Sequence, residues 1–374
     1  MYRIEYPSDA TLKKQLAPLK KRIEELINQY LPSMGKYELK NVVNNKHLKL
    51  SVKVKKNSIT EWFLKWLLES NHIEELLIGD MDALLGIVKK VEDERVNRNI
   101  KEEEVYCSLS QDSYVRLYNK GVKISRRKKV TVDHFQTILY EIFVKQGYNG
   151  YIGKGETKRL LFDKADHVKG LNLRICPYCG RSFIYSVEEN GTTVKPQVDH
   201  FLPKSKYPYL ALSYFNLIPV CQTCNMKDCK GEFDPMIKIG ERPFSLIYPY
   251  EFNNNLIDFK PDILKSDYYD DSSFAVTIDY RGNADLEKAM KDELKLEAFY
   301  KYHNHEVGDI FRQLLLLQSK AKIYYKAFGI TPTAFNPTPK LILGFSFNEK
   351  NSRNELLYLL RKKAYEEFSV KVHI

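Results

Sequence analysis

An α+β fold is predicted, with a small cysteine-bearing insert (171–240) between a mainly helical N-terminal region (1–170) and an α-rich C-terminal region with a short strand segment (241–374). Three observations lead there. Apolar residues recur at helical spacing through most of the first 170 residues and again beyond Asp285. Between Gly170 and Gly240 that periodicity gives way to prolines, cysteines and short alternating runs. Five of the six cysteines fall in this middle stretch, four of them as two pairs of identical spacing. At about 100–200 residues per domain, 374 residues leave room for two or three units.

The elements follow in order. Ser8 or Asp9 can cap a helix to Tyr30, bent or restarted at Pro18. Lys46 to Lys56 alternates Leu48, Leu50, Val52 and Val54 with Lys49, Ser51, Lys53 and Lys55, which predicts a strand with one basic face. Thr60 can cap a helix carrying Trp62, Phe63, Trp66, Leu67 and Ile73, and a second amphipathic stretch runs from Asp80 to Val96. Glu102 to Glu104 read as a solvated face, and Arg126 to Lys129 as an exposed loop or a phosphate contact. Arg181 to Val198 predicts a β-hairpin turning at Glu189-Asn190-Gly191, with room for a short helix after Asp228. A strand at Phe274 to Tyr280 precedes helical patterns at Asp285 to Tyr302, His305 to Phe328 and Glu349 to Phe368.

Composition narrows the function. With 43% hydrophobic residues the chain can bury a sizeable core, which excludes global disorder. No apolar run approaches the ~18 residues of a membrane span, and Met1 to Pro7 lack the apolar stretch of a secretory signal; a cytoplasmic location is expected. Lys and Arg outnumber Asp and Glu by 59 to 48, and the resulting +11 favours a polyanionic partner such as nucleic acid.

Cys176-Pro177-Tyr178-Cys179 and Cys221-Gln222-Thr223-Cys224 are both C-x2-C. Two such knuckles can close a tetrahedral all-thiolate zinc site, with Zn–S of about 2.3 Å. Disulfides are the alternative but lack a secretory context, and a duplicated redox pair would be unusual. Cys107 and Cys229 have no partner at such spacing.

Between the knuckles lies Val198-Asp199-His200-Phe201-Leu202-Pro203-Lys204-Ser205; Asn216 follows, and Asn225 adjoins Cys224. A carboxylate can hold a divalent cation and a neutral imidazole can take a proton from water, the two functions phosphodiester hydrolysis needs. Adjacent strand residues point to opposite faces, so Asp199 and His200 need a local bend to converge. An Asp and a His that satisfy only local hydrogen bonds are the simpler reading of the pair in isolation.

Taken together, Cys-Pro-Tyr-Cys, Asp-His-Phe-Leu-Pro-Lys-Ser and Asn-Leu-Ile-Pro-Val-Cys-Gln-Thr-Cys-Asn-Met-Lys resemble an HNH endonuclease of the zinc-bearing ββα-metal (His-Me finger) type. The resemblance spans about Ile175 to Gly231, under a fifth of the chain. It implies His200 as general base, Asp199 and Asn225 as ligands of a catalytic ion, and Asn216 as the residue positioning the base-bearing loop. It also implies products with 5′-phosphate and 3′-hydroxyl ends. The last motif position is Asn225 rather than His, and two hard oxygen ligands suit Mg²⁺ or Mn²⁺. Zinc in this reading is scaffold, since a finger of this size buries too little apolar surface to be rigid alone. Arg181, Lys204, Lys206, Lys227 and Lys230 are candidates for phosphate contacts, each with a plain surface charge as its alternative.

Two decoys test the motif. Val132-Asp133-His134-Phe135 repeats the tetrapeptide at 198–201 with no knuckle nearby and reads as a capped helix start. His303-Asn304-His305 spells the family letters without their dispersion, and His305 with Asp309 reads as a solvated pair.

The expected function is a metal-dependent endonuclease acting on DNA, against a non-catalytic zinc-ribbon binding protein or an RNA-cleaving nuclease. A looser similarity is to HNH subunits of bacterial anti-phage systems, Septu-type and retron-associated, which pair with an ATPase. It rests on the finger, Tyr248-Pro249-Tyr250, and Leu294 to Val307 with Tyr302 and His303. The sequence has no G-x4-G-K-[ST] loop, so a nucleotide-driven step would need such a partner.

Overall fold

The computed structural model describes residues 3–31, 37–40, 48–52, 54–109, 127–152, 159–190, 192–328, 344 and 355–372. Arg126, Gly191 and 349–354, which enter the expectations above, lie outside them, as do the side chains of Cys107 and of the alternating run at 48–52.

The N-terminal region opens on α1 (Asp9–Tyr30), capped by the Ser8 hydroxyl and continuous through Pro18. Strands β1 (Tyr37–Lys40) and β2 (Leu48–Val52) precede three helices, α2 (Ile59–Leu68), α3 (His72–Ile78) and α4 (Met81–Asn97). Ser58, not Thr60, caps α2, and Ile73 belongs to α3 rather than to the helix of Trp62 and Trp66. The reason is local: Ser58 accepts from the Glu61 amide, and Ser70 takes a left-handed conformation that breaks the run. β3 (Glu103–Leu109) and β4 (Arg127–Val132) complete an antiparallel sheet in the order β1-β2-β3-β4, which the helical periodicity of this region hides. Residues 127–129 of the expected basic loop are therefore strand.

After β4, Asp133 caps α5 (His134–Leu139), which continues as a π-helical stretch, Tyr140–Tyr148. A two-stranded ribbon, β5 (Tyr151–Ile152) and β6 (Arg159–Leu160), leads to α6 (Lys164–Leu171).

In the finger, the hairpin is shorter than expected: only β7 (Val187–Glu189) and β8 (Thr192–Val194) pair. Val198 leaves it for β9 (Gln197–His200), which pairs with β10 (Leu217–Val220), His200 opposite Leu217 and Asp199 opposite Ile218. Every residue of β10 is buried and only Gln197 of β9 is exposed, so the ribbon is embedded in the protein over most of its length. The helical part of the ββα unit is one turn, α7 (Gln222–Asn225); the expected helix after Asp228 is a series of turns instead. Gly231 at φ 46° is one of them, where a Cβ would meet the Lys227 carbonyl oxygen at 2.9 Å.

The C-terminal region pairs β11 (Asp258–Ile263) with β12 (Phe274–Asp279). The pattern from Asp285 to Tyr302 is split into α8 (Ala284–Asp292) and α9 (Leu296–Tyr300) by Lys295 at φ 50°. Then come α10 (Asn304–Phe328) and α11 (Tyr358–Lys371). A continuous hydrophobic core runs from Ile4 through the finger to Val372. The flanks grip the finger by specific bonds: Ser213 Oγ donates to the Leu76 carbonyl at 2.6 Å, and the Tyr248 hydroxyl to the Phe215 carbonyl at 2.8 Å. The Tyr300 hydroxyl donates to the Cys179 carbonyl at 2.6 Å. No helix among the described residues is long and apolar enough to cross a membrane.

Candidate active site

The first knuckle turns at Gly180 (φ 68°), whose amide donates to the Cys176 carbonyl at 2.9 Å. The second occupies the start of α7, bringing Cys221 and Cys224 to the same point. All four thiols are buried, and their sulfurs lie within 4.8 Å of one another. The Cys179 and Cys221 sulfurs are 3.9 Å apart, against about 3.8 Å for a tetrahedral site with 2.3 Å bonds. The cluster therefore fits a structural zinc. Cys229 is buried as well, and it is not part of that cluster.

Between the knuckles, β9 delivers Asp199 and His200 side by side. The His200 Nε2 lies 3.1 Å from the Ala211 carbonyl oxygen. A carbonyl only accepts, so Nε2 carries the proton and Nδ1 is left as the acceptor. Tyr148, at the end of the π-helical stretch, packs edge-on to the imidazole at 4.7 Å. Burial first, then the Lys204 ammonium, hold His200 well below its ordinary pKa, so the ring is neutral near pH 7.

Asn216 is fully buried and closes the loop from Phe201 to Phe215 with its amide. Its Oδ1 accepts from the Leu202 amide at 2.7 Å, and its Nδ2 donates to the Leu202 and Leu210 carbonyls, both at 3.1 Å. Since Leu210 adjoins Ala211, one side chain fixes both the loop after His200 and the segment that orients its ring.

Asp199 is buried too. It accepts from the Tyr178 hydroxyl at 2.6 Å and pairs with the Lys230 ammonium at 3.0 Å. Burial raises its pKa, while Lys230 and then Tyr178 oppose that rise. Half-buried Asn225 donates to Gln197 Oε1 at 3.3 Å. Asp199, His200 and Asn225 line one cleft of about 630 Å³ together with Pro203, Lys204, Lys227 and Glu232. A carboxylate has about four lone-pair sites, and Tyr178 and Lys230 together make three contacts with Asp199. That leaves lone-pair capacity on Asp199, and the oxygens of Asp199 and Asn225 are a hard donor set of the kind that suits Mg²⁺ or Mn²⁺.

The basic candidates separate. Lys204 lines the cleft, 5.9 Å from the Tyr148 ring, and Lys227 is an exposed residue on its rim. Lys206 is exposed and paired with Asp234 at 2.7 Å. Arg181 lies over the Phe299 ring at 4.3 Å. Lys230 corrects the expectation of a phosphate contact, because its side chain is wholly buried and bound to Asp199. Tyr178 and Tyr148 are the residues the motif analysis missed. Tyr178 was visible between the cysteines of the first knuckle; Tyr148 carries no sequence signal, lying far upstream in a stretch that reads as ordinary helix.

Neither decoy joins the cleft. Asp133 accepts from the Gln136 amide at 3.0 Å and pairs with Arg95 at 2.7 Å. His303, His305 and Glu306 cluster closely enough to ligate an ion, but Arg361 holds the Glu306 carboxylate at 2.6 Å. Asp309 pairs with Arg312 rather than with His305.

Comparison with known proteins agrees with this geometry. The family described as HNH endonuclease matches residues 176–230. A stretch of 75 residues is 33% identical to protein ea31 of Escherichia phage lambda, covering 20% of this chain and 20% of that protein. The chain thus spans about a fifth of the length of that relative. No solved structure matches the chain. Residues 176–230 are an HNH endonuclease domain with a four-cysteine cluster suited to structural zinc, a fold that implies interaction with nucleic acid.

Proposed function

We propose that the chain is a metal-dependent endonuclease that hydrolyses phosphodiester bonds of DNA through His200. One observation carries the reading: the His200 Nε2 is fixed on the Ala211 carbonyl, and the ring shares a cleft with the oxygen donors of Asp199 and Asn225. His200 Nδ1 takes the proton of the attacking water. Asn216 keeps the loop that orients the ring in place, and Lys204 and Lys227 offer cationic contacts to the phosphate backbone at the cleft. Asp199 and Asn225 would hold Mg²⁺ or Mn²⁺, which would supply Lewis-acid stabilisation of the charge developing in phosphodiester hydrolysis. The similarity to anti-phage HNH subunits and the large flanks support a defence effector directed by a partner ATPase.

Cleavage of supercoiled plasmid in Mg²⁺ or Mn²⁺ tests the site. His200→Ala should slow it by roughly 10²–10⁴-fold with zinc and DNA binding intact and a stability loss of about 1–3 kcal/mol, because the Ala211 carbonyl loses its buried donor, whereas His134→Ala should leave the rate unchanged. DNA binding by a wild type that never cuts would favour the zinc-ribbon reading. Cutting of RNA but not DNA would change the substrate and keep the site. A dead His134→Ala with an active His200→Ala would overturn the assignment.

A further inference from the structure

The Asp199 carboxylate is touched by one side chain from each end of the zinc-binding unit. Tyr178 belongs to the first knuckle, between Cys176 and Cys179, and its hydroxyl donates to Asp199 Oδ2 at 2.6 Å. Lys230 follows the second knuckle, and its backbone amide donates to the Cys224 carbonyl at 3.3 Å. From there its ammonium reaches Asp199 Oδ1 at 3.2 Å, Oδ2 at 3.0 Å and the His200 carbonyl at 2.9 Å. These acceptors belong to two consecutive residues, so a single cation ties the side chain of one to the main chain of the next. Burying an ammonium costs several kcal/mol, and an ion pair in such a place is a poor source of stability compared with apolar packing. Its effect lies in geometry and charge.

We propose that Lys230 and Tyr178 are positioning residues that clamp the Asp199–His200 dipeptide to the two zinc knuckles, with Lys230 also acting as the standing counter-charge of Asp199. The inference rests on the metal-dependent reading above and adds two residues to it. It has a consequence that a merely structural role would not produce. The Lys230 ammonium and a divalent cation both draw on one carboxylate, so removing the ammonium strengthens the attraction of Asp199 for the ion. The same removal frees the His200 carbonyl and lets the dipeptide move, and misplacement on the order of 1 Å costs about 10²-fold in rate. Ion affinity and turnover should therefore change in opposite directions.

The test uses the full-length, zinc-loaded protein, with Mn²⁺ binding followed by electron paramagnetic resonance and cleavage rates measured at saturating Mn²⁺. Lys230→Met should bind Mn²⁺ about tenfold more tightly while kcat falls about 10²-fold, with zinc content unchanged. Tyr178→Phe removes a single hydroxyl and keeps the ring packed, so it covers the case in which Lys230→Met fails to fold. It should keep its zinc and lower kcat about tenfold, with KM for DNA unmoved and Mn²⁺ affinity equal to or above that of the wild type. Mn²⁺ bound by the wild type but unaffected by either variant, with kcat unchanged, would overturn the clamp and leave the nuclease reading standing. So would a kcat that falls only in step with loss of zinc. A wild type whose Mn²⁺ binding matches that of Asp199→Asn would overturn the ion site itself, and the clamp with it.

Discussion

The chain contains Val-Asp-His-Phe twice, and the two copies, 132–135 and 198–201, are put to different uses. In both, the valine and the phenylalanine are buried, which is all that their hydrophobicity dictates. The polar pair diverges. Asp133 turns onto the Gln136 amide and Arg95, so its carboxylate starts a helix and His134 becomes the first helical residue. In the second copy the chain stays extended against β10, Asp199 meets Tyr178 and Lys230, and the His200 ring is set by Ala211. The four residues decide what goes inside. Atoms more than ten residues away decide what the imidazole can do.

The zinc knuckles supply most of that difference, so their loss has the largest expected effect. Structural zinc contributes roughly 10–16 kcal/mol of apparent binding energy in small fingers, and here it ties down both side chains that reach Asp199. Cys221→Ser should reduce zinc from about one per chain to none, abolish cleavage and expose 171–240 to limited proteolysis. Residues 132–135 should resist, because no knuckle touches them. Unchanged zinc content, or first proteolysis around His134, would break the contrast.

Asn216→Ala comes next. It leaves the Leu202 amide and the Leu202 and Leu210 carbonyls without their buried partner. Unfolding in urea should show a loss of about 2–4 kcal/mol, since each orphaned group costs about 1–3 kcal/mol and the loop relaxes in part. Cleavage should fall with zinc still bound. A stable variant with full activity would remove Asn216 from the positioning role.

This ranking shows what was legible from sequence. The C-x2-C pairs could be read because ligand spacing is local, whereas Asp199, His200, Asn216 and Asn225 were singled out through the ordered motif they share with HNH endonucleases. The burial of Lys230 could not: lysine is ordinarily exposed, and its ammonium reaches β9 from a series of turns that no periodicity marks. The N-terminal sheet was hidden because β2 and β3 pair across three intervening helices. The hairpin was overextended because Val198 alternates equally well toward β8 or β10, and periodicity carries no record of the partner.

A third experiment sharpens the comparison through pH. His167 is fully buried beside β10, its Nε2 is 2.9 Å from the Leu217 carbonyl, and burial pushes its pKa down to about 4. An unfolded histidine titrates near 6.5, so between these values the unfolded chain binds more protons. The stabilisation is complete above about pH 6.5 and is lost as pH falls toward 4. Between pH 7 and pH 5 this amounts to about 2 kcal/mol. His167→Gln keeps a donor for Leu217 and cannot titrate, so its urea-unfolding free energy should fall by about 2 kcal/mol less than the wild type over that interval. Parallel pH curves for the two proteins would count against a buried neutral His167.

The smallest effect belongs to the first tetrapeptide. Asp133→Ala removes a helix N-cap, worth about 1 kcal/mol, and the partly exposed pair with Arg95, worth up to about 1 kcal/mol more. Arg95 retains Glu92 at 3.6 Å, which limits the loss. The expected cost is about 1–2 kcal/mol in urea unfolding, with Mn²⁺ affinity and cleavage rate at wild-type values. Asp133→Asn keeps an oxygen for the Gln136 amide and should recover about half of it. The matching change in the second copy is Asp199→Asn rather than Asp199→Ala, because the amide keeps the shape and an oxygen for Tyr178 or Lys230, although either variant removes the counter-charge of the buried ammonium at a cost of about 3–5 kcal/mol. Asp199→Asn should stop cleavage and weaken Mn²⁺ binding while zinc stays in place. If Asp133→Ala cost more than about 3 kcal/mol or slowed cleavage, the first copy would be coupled to the active site and the two tetrapeptides would not be independent.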